Sequence, residues 1–325
     1  MAKAQTALEL RPATIADAAR VADLETARTP DEPRDPEMLL FRWVFPPAGE
    51  VFTRMLAERD GSAIAFLQAG HRPWNENAER FGPMRFILHP NSWADVYYEQ
   101  LVDAGEAWAR AEGAEIGVVR VRETIKNEIR ILQRRGYREV RRGRQWELDL
   151  SAHRERLLAG AEEGRERMRQ QGVRVMTLDR DTDPDRLAKL YEMSTMGERD
   201  IPTTVPMHSM SYDEWHHLWF DNPGTRTDRF WIAREGDAIV GLSAIEYPPT
   251  RGVPWTAFTT TARSVRGRGI ARALKYETIA QAIALGVERI RTQNDGENAP
   301  ILHLNAQMGY VPIDPVIELH RELNR

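Results

Sequence analysis

Residues 255–293 read WTAFTTTARSVRGRGIARALKYETIAQAIALGVERIRTQ. The Thr- and aromatic-rich start has strand composition, and the run from Ile270 carries apolar residues at helical spacing before it stops at Gly286. ERIRTQ then resumes a strand. Between the first strand and the helix stands Arg266-Gly267-Arg268-Gly269. The same order of elements occurs upstream, in RFILHPNSWADVYYEQLVDAGEAWARAEGAEIGVVRV, residues 85–121. Leu101 matches Leu274, Gly113 matches Gly286, and Gly136-Tyr137 matches Gly309-Tyr310, each at an offset of 173 positions. One ungapped offset across such a stretch marks an internal repeat.

The starts of the two copies correspond as well. Residues 8–27 and 173–194 each read as a short strand, a polar turn and an amphipathic helix, the second with Asp183 as the expected N-cap and Pro184 at the first helical position. Residues 51–70 and 230–247 each read as a hairpin, turning at Asp60-Gly61 and Gly236-Asp237. Each copy therefore runs β-α-α-β-β-β-α-β-α-β. The fold class is α/β (α+β), with a mixed, mostly antiparallel sheet carrying helices on both faces in each copy. A copy at 1–150, a charged helical linker at 151–171 and a second copy at 172–325 are expected. The order is not a simple βαβ alternation, and the Gly-x-Gly-x-x-Gly dinucleotide fingerprint is missing.

Composition narrows the classes. The 325 residues include no Cys, which removes disulfides, thiolate nucleophiles and Cys-based zinc sites. No metal site is expected. The net charge of −4 gives no basic field for nucleic acid. No apolar run reaches membrane-spanning length, and the N-terminal residues lack a signal-like apolar segment. The expectation is a cytoplasmic protein with no nucleic-acid or membrane partner; oligomeric state is not legible.

The glycines of RGRGIA let a ligand approach the backbone, and the helix that follows offers free N–H groups and a positive dipole end to an anion. Arg266 and Arg268 can add charge-assisted bonds to phosphate. The same letters would also make an ordinary polar turn with surface arginines.

With its flanking strand, helix and downstream NAPILHLNAQMGYVP (298–312), the segment resembles the GNAT superfamily of N-acetyltransferases. That family holds the pyrophosphate of acetyl-CoA with a loop of the form Gln/Arg-x-x-Gly-x-Gly/Ala, filled here by Arg266, Gly269 and Ala271. The resemblance covers about 228–319 well and the first copy by topology and offset. Two copies in one chain resemble the tandem acetyltransferases, a group that includes mycothiol-synthase-like proteins. The first copy departs from the pattern: Trp93, Ala94, Val96 and Tyr98 stand at the positions of Arg266, Gly267, Gly269 and Ala271. Val121 and Ile125 replace Asn294 and Asn298. A half that packs against the second copy and walls its substrate site is the favoured reading, with a different ligand in the same cleft as the alternative.

The resemblance implies acetyl-CoA as acyl donor, held by Thr261, Ala262, Arg263, Arg266, Gly267, Arg268, Gly269, Ile270 and Ala271, with Asn294 and Asn298 as further contacts. It implies direct attack by an amine on the thioester, whose carbonyl is polarised by a backbone N–H near Thr261. Glu246, at the end of its strand, is the first candidate for general base. Asp200 and His208, between the first two helices of the second copy, are candidates for acceptor recognition, and an exposed surface role fits each equally. Where many family members carry a Tyr as general acid, four residues before the Gly-aromatic turn, this chain has Asn305. The leaving thiolate is then protonated by water, by Tyr310 as the candidate acid or by another group, or the unit turns over poorly. The function implied is an acyl-CoA-dependent N-acetyltransferase acting on a small primary amine. The alternative is a non-catalytic acyl-CoA-binding or regulatory protein.

Overall fold

A computed structural model describes residues 7–74, 79–201, 209–295 and 298–323. The first copy comprises β1 (Arg11–Pro12), α1 (Ala18–Arg28), α2 (Pro36–Val44), β2 (Val51–Arg59), β3 (Ser62–His71), β4 (Phe81–Leu88), α3 (Asp95–Ala111), β5 (Ile116–Arg122), α4 (Lys126–Arg134) and β6 (Arg138–Asp149). After α5 (Arg154–Gln170) the order repeats as β7 (Arg174–Thr177), α6 (Arg186–Glu198), α7 (Tyr212–Phe220), β8 (Phe230–Glu235), β9 (Ala238–Glu246), β10 (Trp255–Thr261), α8 (Ile270–Ala284), β11 (Arg289–Asp295), α9 (Ala299–Met308) and β12 (Val311–Glu322). The element order is the one the repeat implies.

Local signals explain most boundaries. Asp35 caps α2 by accepting the N–H groups of Glu37 and Met38 at 2.8 and 2.9 Å, with Pro36 at the first position. Asp60 and Gly61 both take positive φ, at 50° and 77°, which a tight hairpin turn requires. One expectation shifts. α6 begins at Arg186 with Asp185 at the cap, because Asp183 accepts the Asp185 N–H and also binds Lys189 and Arg234.

Among the described residues the strands form one sheet, ordered β1-β2-β3-β4-β5-β12-β6-β11-β10-β9-β8-β7. Only β4–β5 and β10–β11 run parallel. Helices cover both faces. Phe66 of β3 packs with Val21, Leu24, Leu39 and Trp43 of α1 and α2, whereas its neighbour Leu67 packs with Leu101 and Val102 of α3. In the second copy Leu242 meets α6 and α7, and Val240 meets α5 and α8.

The strand order contains an exchange that the repeat alone did not show. β12 lies against β5, and β6 lies against β11. The last strand of each copy thus completes the sheet of the other. β6 and β12 pair with each other at the centre, where Val316 faces Gly143, its own repeat equivalent. That pair sits on the pseudo-twofold axis relating the copies.

Candidate functional site

β10 is the spine of the site. It holds a single rung with β11, Trp255 to Arg291, and then the two strands part. Register with β9 shifts between Thr256 and Phe258, leaving Ala257 as a bulge. Beyond the bulge the Ala262 N–H donates to the Val240 carbonyl at 2.9 Å. Alternation in the ladder therefore turns the N–H groups of Thr259 and Thr261 away from β9 and into the gap. The Thr261 N–H, the sequence candidate, and the Thr259 N–H thus point the same way.

At the far end of β10 the chain turns through Ala262, Arg263 and Val265 into the loop. Gly267 and Gly269 adopt φ of 80° and 89°, and Gly269 is the left-handed residue from which α8 starts. Among the described residues, the N–H groups of Gly267, Arg268, Gly269, Ile270 and Ala271 have no backbone acceptor. They form an anion cradle at the mouth of the gap. The arginines are already engaged. Arg266 and Arg263 both bind Asp200, the second through Nε at 3.3 Å as well as through its terminal nitrogen. These bonds hold the Asp200 carboxyl down to about 2. Arg268 turns aside, 2.9 Å from Glu235 and 3.2 Å from Gln171 of the segment after α5. Asp200 is thus joined to the loop, not presented to the other end of the gap. His208 lies outside the described residues.

The other end opens into a cleft of about 380 Å³ where β10 and β11 diverge. Thr256, Ala257 and Gln293 line it, with Gln145 of the exchanged strand β6. Glu246 forms part of its wall, half-buried, accepting from Asn222 Nδ2 at 2.7 Å and lying 3.8 Å from Arg42. The opposite wall is the first copy: Glu32, Arg34, Asp35, Met38 and Arg42. Burial pushes the Glu32 carboxyl up against the pull of Arg122 and Arg291. Sequence reasoning missed Glu32, Arg42, Gln145 and Gln293, because nothing local marks a residue whose partner wall lies in another copy. It also missed Glu198 at the end of α6, whose carboxyl burial pushes up. Its neighbour Gly197 lies so close to β10 that a Cβ there would sit 2.5 Å from Thr260 Oγ1.

A buried polar cluster links α8, α9 and β11 beside the parted strands. Asn305 is fully buried; its Oδ1 accepts from Lys275 Nζ at 3.0 Å and its Nδ2 donates to Asn294 Oδ1 at 2.7 Å. Asn298 stands at the start of α9 without capping it through its side chain. Tyr310 is buried under Lys275, ring centroid 5.0 Å from Nζ, and its hydroxyl has no formed hydrogen bond. Burial raises its phenol well above the usual range, opposed only weakly by nearby Thr256.

The first copy differs at every one of these points. β4 and β5 stay zipped for four rungs, from Phe81–Ile116 to Met84–Val119. Tyr98, at the position of Ala271, is fully buried and donates to Glu128 Oε2 at 3.2 Å. Glu128 also takes two bonds from Arg28, at 2.7 and 2.5 Å. The helix start that would face an anion is covered by Asp95, itself bound by Arg130 at 2.8 Å.

Among the described residues no group of three or more His, Asp or Glu side chains is arranged to hold a metal, and no helix is long and apolar enough to cross a membrane.

Residues 198–310 match the acetyltransferase (GNAT) family model. No curated protein matches the sequence. Among solved structures, a tandem GNAT protein from the clavulanic acid biosynthesis pathway superposes with a TM-score of 0.74 at 14% identity, covering 98% of this chain and 99% of that one. A GCN5-related N-acetyltransferase from Sphaerobacter thermophilus superposes with a TM-score of 0.67 at 21% identity, covering 98% and 96%. The second copy therefore carries a GNAT-family acetyltransferase domain, and the whole chain has the tandem GNAT fold.

Proposed function

We propose that this tandem GNAT-fold chain transfers an acetyl group from acetyl-CoA to a small primary amine, with all chemistry in the second copy. The observation that carries this is the continuous path along β10. It leads from unpaired N–H groups at the α8 start, through a parted β10–β11 gap, to a charged cleft at Glu246. Acetyl-CoA supplies the activated acyl group. The RGRGIA cradle suits its pyrophosphate, and the gap suits its extended arm. Thr259 and Thr261 N–H groups are donors fixed by the sheet, so they need no reorganisation to meet a developing oxyanion. Glu246, held by Asn222 beside Arg42, takes the proton from the amine directly or through water. Asp200 clamps the loop arginines until phosphate competes for them.

The chain divides, on this reading, into a first GNAT-like unit at 1–150, a linking helix and a catalytic unit at 172–325. The first unit walls the acceptor cleft and has filled its own cofactor gap with Tyr98 and the Arg28–Glu128 pair. A cytoplasmic setting suits a reaction that releases a free thiol.

Titration calorimetry of acetyl-CoA into wild type and Gly269→Trp tests the reading. One site in the wild type and none in the variant is expected, because a side chain at φ 89° is strained and meets the Arg167 guanidinium at 3.2 Å. Two wild-type sites would restore the first unit as a binder, and none would remove the acetyltransferase reading. Asn305 in place of a Tyr acid favours one alternative, a non-catalytic acyl-CoA binder. Thiol release from acetyl-CoA with an amine panel separates the two, and the absence of Cys in the chain keeps a thiol assay free of background.

A further inference from the structure

Lys275 is buried in the middle of α8, yet no carboxylate answers it. Its only hydrogen-bond acceptor is Asn305 Oδ1, so two of its three N–H donors are unused among the described residues. Desolvation is the sole cause perturbing it, lowering its pKa to about 7. The charged groups on the elements packed around it are turned elsewhere: Arg165 of α5 pairs with Glu277 of α8, and His303 of α9 meets Gln307. Tyr310 offers only its ring.

The fold does not require this arrangement. At the repeat equivalents of Lys275, Asn305 and Asn294 the first copy has Val102, Leu132 and Val121, all buried and packed in its core. The aromatic floor is kept, as Tyr137 and Tyr310. The same scaffold is satisfied by three apolar side chains in the first copy, where β4 and β5 keep four rungs. It carries Lys-Asn-Asn in the second, where β10 and β11 keep one. Burying a lysine without a counterion costs stability, so the trio points to a ligand in the gap.

We propose that Lys275 donates the proton to the departing sulfur of acetyl-CoA, in place of the missing Tyr acid; this rests on the acetyltransferase reading above. As the amine nitrogen bonds to the carbonyl carbon, the C–S bond breaks and its electron pair goes to sulfur. The Nζ proton moves to that sulfur, leaving a neutral amine that solvent reprotonates. The proton lost by the acceptor amine leaves through the cleft. An alkyl thiol titrates near 8.5, so transfer from an ammonium near 7 runs downhill. Asn305 acts as a positioning residue, fixing Nζ at 3.0 Å.

The test uses free CoA and needs no acceptor. Thiolate absorbance of enzyme-bound CoA is titrated from pH 6 to 10 in wild type, Lys275→Met and Lys275→Gln, with calorimetry confirming binding. The neutral amine present above pH 7 still offers N–H groups that favour thiolate and that Met lacks, so the bound thiol is expected to titrate at least one unit lower in wild type than in Lys275→Met, a tenfold shift in thiolate fraction. With an acceptor identified, kcat in both variants falls at least tenfold while KM for acetyl-CoA stays within about twofold. CoA bound by all three proteins with the same thiol titration would overturn the role of Lys275. CoA bound by none, with wild type folded, would overturn the acetyltransferase reading and this proposal with it.

Discussion

Replacing Lys275 with Met should flatten the alkaline stability profile of the protein. The folded-state pKa is lowered from 10.5 to about 7 by burial alone. Between those values the unfolded chain binds one more proton than the native state, so stability rises with pH across this window. The burden is full below the folded value and vanishes above the unfolded one. From pH 7.5 to 9.5 the proton difference is worth about 2–3 kcal/mol. The group is 1% exposed, so solvent screening does not reduce it. Lys275→Met also leaves Asn305 Oδ1 without its donor, a cost of about 1–3 kcal/mol that does not vary with pH. The slope, not the absolute stability, is therefore diagnostic. Urea unfolding of both proteins at pH 7.5 and 9.5 should show the wild type gaining about 2–3 kcal/mol relative to the variant. A second assay is direct. The chain has four lysines, Lys3, Lys126, Lys189 and Lys275, and among the described ones only Lys275 is buried, so Cε-labelled lysine NMR has few signals to assign. Parallel stability profiles, or no lysine signal with a midpoint below 9, would refute the reasoning.

Glu128→Ala should destabilise by about 3–5 kcal/mol, since it strands the Arg28 guanidinium and the Tyr98 hydroxyl; acetyl-CoA affinity by calorimetry should stay unchanged, because the site lies in the other copy. Asp200→Asn should free Arg263 and Arg266 and tighten acetyl-CoA binding about threefold or more, with a steeper salt dependence; weaker binding would count against the clamp. Glu246→Gln should lower kcat by about a hundredfold with an amine acceptor and leave acetyl-CoA binding intact; unchanged turnover would move the base elsewhere, with Glu32 the next carboxylate on the cleft. Residues 172–325 expressed alone should not give a stable monomer, because β11 then lacks β6 and β12 lacks β5; a monomeric, cooperatively folding fragment by light scattering and melting would contradict the exchange.

The backbone form of the α8 loop is legible in the sequence because it is local. Arg266 through Ala271 sit between a strand and a helix whose periods are plain in the sequence, and glycine at a helix start has a narrow set of uses. The degenerate loop of the first copy was legible too, as Trp93, Val96 and Tyr98 at the equivalent positions. The sequence leaves Asp200 open between acceptor recognition and a surface role, since its partners Arg263 and Arg266 lie more than sixty positions away.

What the sequence by itself determined was the repeat, its element order and the asymmetry between its copies. These follow from periodicity and turn chemistry, which act over a few residues. Tertiary structure alone decided three things. Two identical strand orders leave open which copy receives each final strand, and only the pairing of β12 with β5 and β6 with β11 settles it. The cleft at Glu246 has walls from both copies, because α2 and β6 meet β9 and β10 across that exchange. Lys275 looks in the sequence like a polar residue on an amphipathic helix. α5 covers the outer side of α8 through Leu157, Ala161 and Met168, so the helix is buried nearly all round. A lysine there is desolvated, which periodicity along one helix does not reveal.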